Sequence, residues 1–333
     1  MAISSEKGDR AALSGPIAVS SARMTNPLVI LCPGQGAQTV GMGKAWAEQS
    51  PDARAVFEHA DRVLGNRLGS RLSALCFEGP SERLNQTDVS QPAIFVASIA
   101  SWKGLLAGWN FGNGEVPLAA TAGLSLGEYT ALVVAGVMDF DDGLELVTLR
   151  GRAMQDAAEA NPGGMVALIG AEPAQAHEVC DAAREGGVLV CANFNAPGQI
   201  VLSGDKPACE RAAAKAGAMG LRATVLQVAG AFHSPLMQPA ADRLEAALAL
   251  TTLRSGRCPV ISNVTAEPHE TDAGSIRRRL VEQLTSPVRW SESCSAIVGT
   301  VRGDVHELAP GKTLAGLMRR IDKNTKVTTH DEP

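Results

Sequence analysis

Short runs of consecutive apolar residues alternate along this chain with longer stretches in which apolar positions recur every three or four residues. The first pattern fits buried strands and the second fits helices with one covered face. On that basis 27-PLVILC-32 predicts a strand, followed by a glycine-bearing loop at 33–43 and helices through Trp46 and over 52–65. A long apolar helix is expected at 91–107, then a strand within 116–123, a turn at Ser125, a helix, and a further helix carrying 147-VTLRGRAMQ-155. Strands alternating with helices in this way indicate an α/β fold with a mostly parallel sheet.

The pattern changes after Pro162-Gly163-Gly164. Strand 164–170, helix 172–185, strand 188–194, a turn at 195-NAPG-198, strand 199–204, helix 205–218 and strand 221–228 follow in the order βαββαβ, the ferredoxin-like arrangement. Helix 235–250, strand 258–264, helices 274–284 and 291–299, strand 304–308 and helix 311–321 complete the series. The domain reading is a large α/β domain from 27–162 and 229–322, with 163–228 inserted as a subdomain that forms the other wall of a cleft. Residues 1–26 and 323–333 are polar and are expected to be a disordered leader and tail, with Met24 as an alternative start.

Composition narrows the function. Of the 333 residues, 45% are hydrophobic and 20% charged, as in ordinary globular proteins. A net charge of −5 and only 4% aromatics argue against nucleic-acid binding by counterion release or base stacking. Seven scattered cysteines without a C-x-x-C spacing fit free thiols in a reducing cytoplasm and no metal site. No uncharged apolar run reaches the roughly 18 residues of a membrane span; the nearest, 91–109, contains Lys103.

Candidate chemistry centres on 121-TAGLSLGEYTAL-132. Gly-x-Ser-x-Gly at a strand-to-helix turn can expose Ser125 as a nucleophile, with the Leu126 N–H at the helix start facing a developing oxyanion; the plainer alternative is a helix cap. A serine needs a base. His233 lies where the insert ends, in 229-AGAFHSPLM-237, and His306 lies where a hydrolase would carry its histidine. Arg150 suits a bidentate grip on a carboxylate, hence an acyl group with a second acid, unless it is a surface residue like Arg152. The loop 34-GQGAQ-38 lacks Gly-Lys-Ser/Thr and the third dinucleotide-binding glycine, which favours donation of the Gln35 N–H to an oxyanion over phosphate binding.

"GQGAQ", "GLSLGEYTAL", Arg150, "NFNAPGQIVLSG", "AFHSPLM", "SNVTA", "QLTSPVRW" and "ELAPGK" occur in one order over about 27–322. This set resembles the malonyl-CoA:acyl carrier protein transacylases and the related acyltransferase domains of fatty acid and polyketide synthases. The resemblance implies a hydrolase-like α/β core with the ferredoxin-like insert. It also implies Ser125 as acylated nucleophile, His233 as base, and the backbone carbonyl of Gln283 as its orienting partner. Gln35 and Leu126 would form the oxyanion hole, Arg150 would hold the malonyl carboxylate, and Asn193 would stand at the site's mouth. Phe232 before the histidine accompanies malonyl preference. Malonyl-CoA and acyl carrier protein are the implied partners of a monomer that needs no cofactor and supplies fatty acid synthesis; a polyketide pathway or a serine hydrolase are the alternatives. Arg277, Arg278, Arg279, Arg319 and Arg320 are candidates for meeting an acidic carrier protein or are simply solvated. The chain departs from the family in carrying Leu124 where histidine is usual, and Ala309 where "GPGK" is common.

Overall fold

The computed structural model describes residues 26–109, 111 and 115–333. The expected leader therefore lies outside the described residues except for Asn26, whose amide donates to the Asp304 carboxylate at 3.2 Å. The chain runs through β1 (Leu28–Cys32), α1 (Lys44–Gln49), α2 (Pro51–Leu64), α3 (Leu72–Glu78), α4 (Ser81–Leu84), α5 (Thr87–Gly108), β2 (Leu118–Gly123), α6 (Gly127–Val134) and α7 (Phe140–Ala160). The inserted segment comprises β3 (Gly163–Ile169), α8 (Pro173–Arg184), β4 (Leu189–Ala196), β5 (Gln199–Asp205), α9 (Lys206–Ala218) and β6 (Arg222–Val225). A 3-10 turn at Pro235–Met237 leads into α10 (Gln238–Leu250), β7 (Val260–Ile261), α11 (Ala273–Glu282), α12 (Trp290–Thr300), β8 (Asp304–Leu308), α13 (Thr313–Ile321) and β9 (Val327–His330).

The strands form two sheets. The larger is parallel throughout, in the order β7-β2-β1-β8-β9. β1 is buried along its length because helices cover both faces, which is why it reads as an uninterrupted apolar run. Leu28, Ile30 and Cys32 join the main core with α5, while Val29 and Leu31 face Trp290, Cys294, Leu314 and Met318 of α12 and α13. α5 is apolar nearly all round and is buried accordingly, wedged between α2 and α7.

The second sheet is antiparallel, ordered β4-β5-β3-β6, as a ferredoxin-like βαββαβ unit requires. Alternate residues of β3 serve two cores: Val166 and Leu168 pack with α8 and α9, while Met165 and Ala167 join the main core. The insert's edge strand β4 is stitched to the larger body through Val288. Phe194 N–H donates to Val288 O at 2.9 Å and Val288 N–H to Ala192 O at 2.8 Å.

Three expectations need correction. The strand expected over 258–264 contracts to the two residues of β7, because Ser262 leaves the ladder to bond Glu267 O and Asn263 reaches to the serine turn. Helices α3 and α4 were not foreseen, being too short to develop a periodic face. The tail expected to be disordered instead supplies β9, paired in parallel with β8. Its His330 stacks on His306 and meets Trp109 edge-on, and the His330 carbonyl accepts from Trp46 Nε1 at 3.0 Å. Among the described residues, no helix is long and apolar enough to cross a membrane.

Deleting residues 323–333 should expose the edge of β8 and the Trp109–His306 contact. The expected result is a thermal midpoint lower by several degrees, on the order of 1–3 kcal/mol for a domain of this size. A melt followed by circular dichroism checks it.

Candidate active site

The serine turn is built by close backbone approach. Leu124 N–H donates to Cys32 O at 3.1 Å, tying the end of β2 to the end of β1, and Gly127 N–H donates back to Leu124 O at 3.0 Å. A Cβ on Gly123 would lie 1.9 Å from the Gly127 carbonyl carbon, and one on Gly127 would lie 2.1 Å from Cys32 O, so only glycine fits either position. Between them Ser125 adopts φ 53°, in the left-handed region that a serine rarely occupies. Asn263 holds it there: its Oδ1 accepts from Ser125 N–H at 2.6 Å and its Nδ2 donates to Gly123 O at 2.7 Å. The next residue, Leu126, is right-handed helical at the start of α6, so its N–H belongs to the first turn of the helix.

His233 also sits in the left-handed region, at φ 57°, just before the turn into α10. Its Nδ1 lies 2.7 Å from Gln283 O and its Nε2 lies 2.8 Å from Ser125 Oγ. A carbonyl can only accept, so Nδ1 carries the proton and Nε2 presents a lone pair to the serine hydroxyl. Burial lowers the imidazole pKa from 6.5 to about 4; the Arg150 charge acts in the same direction, and the Gln283 carbonyl opposes both. The histidine is therefore a neutral base at ordinary pH. His306, the other candidate base, is engaged elsewhere: its Nδ1 lies 2.8 Å from His330 Nε2.

Arg150 projects from α7 and is only 1% exposed. Its Nη1 donates to Gln91 Oε1 at 2.7 Å, and its Nη2 donates to Gln283 Oε1 at 2.9 Å and to Ser125 Oγ at 3.1 Å. The guanidinium carbon stands 5.4 Å from the centre of the Tyr129 ring, within cation–π range. Burial lowers the guanidinium pKa, while Tyr129 and Glu128 act against that. Arg152, by contrast, is half-exposed and paired with Asp156, as a surface arginine should be.

A cleft of about 520 Å³ opens above the serine, lined by Gln35, Leu124, Ser125, Met165, Asn193, Phe232 and His233 among others. The insert's β3 and β4 supply Met165 and Asn193, so the cleft lies between the two sheets. Ser125, His233, Arg150, Gln283, Gln35, Leu126 and Asn193 thus converge on one site. Gln91, Asn263 and Glu128 belong to it as well, though sequence reasoning assigned them no role. A glutamine inside an otherwise apolar helix was the available signal for Gln91. Of the basic residues considered for docking, Arg277 is committed to the Leu248 and Thr251 carbonyls and Arg279 to Glu282, while Arg320 reaches Gln199 of the insert. Among the described residues, no cluster of three or more His, Cys, Asp or Glu side chains is placed to hold a metal ion.

The acyl transferase domain family model matches residues 29–328. The malonyl CoA-acyl carrier protein transacylase of Salmonella typhimurium is 42% identical over 302 residues, covering 90% of this chain and 94% of that protein. The crystal structure of malonyl-CoA:acyl carrier protein transacylase from Xanthomonas oryzae superposes with a TM-score of 0.85 at 41% identity, over 93% of this chain and 96% of the other. A malonyl-transacylase in complex with a type II polyketide synthase acyl carrier protein superposes with a TM-score of 0.86 at 37% identity, over 92% and 96%.

Replacing Asn263 by alanine strands the Ser125 N–H and the Gly123 carbonyl, each at a cost of about 1–3 kcal/mol. Asn263→Ala should melt earlier and should slow labelling of Ser125 by a fluorophosphonate probe; unchanged labelling would show that the turn holds its strained geometry without the amide.

Proposed function

The chain belongs to the acyl transferase domain family, and on that premise we infer that it moves the malonyl group of malonyl-CoA to the phosphopantetheine thiol of acyl carrier protein through an ester on Ser125. The observation that carries this reading is the position of Arg150. A buried guanidinium whose Nη2 lies 3.1 Å from the serine oxygen has no use for a neutral acyl chain. It suits an acyl group ending in a carboxylate, which would displace the serine contact and take the Nη2–H together with the second Nη1–H as a fork.

In the first half-reaction His233 Nε2 accepts the Ser125 proton as Oγ attacks the thioester carbonyl. The tetrahedral oxyanion accepts from the Leu126 and Gln35 N–H groups, and the protonated Nε2 returns its proton to the departing CoA sulfur. In the second, Nε2 takes the proton of the carrier thiol, the thiolate attacks the malonyl ester, and Ser125 leaves with that proton restored. Gln283 O keeps the imidazole oriented through both steps, a main-chain group where hydrolases use an acid. Asn193 and Phe232 line the space left for the acyl group and its thioester arm. The reaction draws on side chains, amides and two thioesters, without a resident cofactor.

We assign the enzyme to the cytoplasm, where seven unpaired cysteines are at home, acting as a monomer in the supply of fatty acid synthesis. The likeness to a transacylase bound to a type II polyketide synthase carrier protein favours a second setting for the same chemistry. Arg319 and Arg320, at the end of α13, are basic residues suited to an acidic carrier, with Arg320 exchanging its Gln199 contact to meet it.

Mixed with malonyl-CoA alone, the protein should gain one malonyl mass on Ser125 and pass it to holo carrier protein on addition. Arg150→Ala should cut malonyl acylation by about tenfold or more relative to acetyl acylation, and an unchanged ratio would remove the carboxylate grip. The pH dependence follows from His233: the neutral base persists as pH falls through 6.5 and is lost only as it protonates, so acylation should decline with a midpoint of about 4. Because Arg150 helps depress that pKa, Arg150→Ala should move the acid limb upward; single-turnover rates by quenched-flow mass spectrometry measure both.

A further inference from the structure

Behind the arginine lies a buried glutamate–histidine hydrogen bond that the mechanism above does not use. Glu128, in the first turn of α6, is fully buried, and its Oε1 lies 2.6 Å from His269 Nε2. Its Oε2 accepts from Gln283 Nε2 at 2.6 Å and from Asn263 N–H at 3.2 Å. The Gln283 amide therefore stands between a carboxylate and a guanidinium. One end faces two acceptors, Glu128 Oε2 and Ser125 O, and must be the NH2; the other faces Arg150 Nη2 and must be the oxygen.

We propose that Glu128 and His269 are positioning residues that select the malonyl carboxylate, by fixing which way the Gln283 amide points and so holding Arg150 aimed at the acyl pocket. The inference rests on the malonyl-transfer reading. A neutral residue at 128 weakens the shorter of the two contacts that hold the NH2 and leaves Ser125 O as its one strong acceptor, so the amide turns more readily to put its NH2 toward Arg150, replacing an acceptor with a repelling donor. The guanidinium then loses one of its two fixed side-chain acceptors and its distant counter-charge together. His269 pins the far carboxylate oxygen so that Glu128 cannot rotate away. Its loop lines a cleft of about 430 Å³ that admits water when the ring is shortened, so His269→Ala has a route to remain folded.

The test compares single-turnover acylation of Ser125 by malonyl-CoA and by acetyl-CoA in the full-length protein. Glu128→Gln should lower the malonyl-to-acetyl ratio about tenfold and His269→Ala about threefold, with the loss in KM for malonyl-CoA more than in kcat. Gln283→Ala, which keeps the carbonyl that holds His233, should lower the ratio by itself and add nothing further in either background, because all three act through one amide. The relay is wrong if both donors slow in equal proportion in folded variants, or if the losses multiply in the double variants. Should Glu128→Gln fail to fold, His269→Ala with and without Gln283→Ala makes the same comparison. Wild type and Arg150→Ala run alongside: no malonyl preference in the first, or an unchanged ratio in the second, overturns the functional reading, whereas a preference abolished by Arg150→Ala but untouched at 128 and 269 overturns only the relay.

Discussion

A positive charge held out of water next to a nucleophile is the constraint on which this structure turns. An isolated buried guanidinium is too costly to retain, so the surroundings must supply acceptors, a π-face and an opposite charge. They come from three separate parts of the chain: Gln91 from α5, Tyr129 and Glu128 from α6, and Gln283 at the end of α11. That requirement explains polar side chains in places where packing alone would choose leucine. It also ties α5, α6, α7 and α11 into one rigid block around the serine.

The second constraint is conformational. Ser125 and His233 both occupy left-handed backbone, and neither is glycine. Such strain persists only when neighbours over-determine it. At Ser125 the neighbours are the interlocked glycines and the Asn263 amide; at His233 they are the Gln283 carbonyl and the Ser234 hydroxyl, which donates back to Ala231 O at 2.7 Å. The parallel sheet delivers the first of these turns at the carboxyl ends of β1 and β2, the customary location of sites in such sheets.

Much of this was legible beforehand. The apolar run of β1, the βαββαβ spacing of the insert, the glycines around Ser125 and the junction position of His233 all carry local signals. The junction position favours His233 over His306 only weakly, since the choice depends on which loop the sheet order brings to the serine. Gln91, Asn263 and His269 were illegible for a related reason: each acts through a contact more than fifty residues away in sequence. β9 escaped because its short polar run lacks a strand's apolar signature; what holds it is the neighbouring ladder and two aromatic rings.

The segment from Gln283 to Val288 does two jobs with main-chain atoms: one carbonyl orients the histidine, and five residues later the backbone extends the insert's sheet. Point substitution cannot delete a carbonyl. Drift in sequence can therefore repaint the cleft walls, at Leu124, Met165 or Phe232, while the base keeps its tautomer and the two halves keep their spacing. A lineage built this way can trade one acyl group for another without first losing the machinery that transfers it.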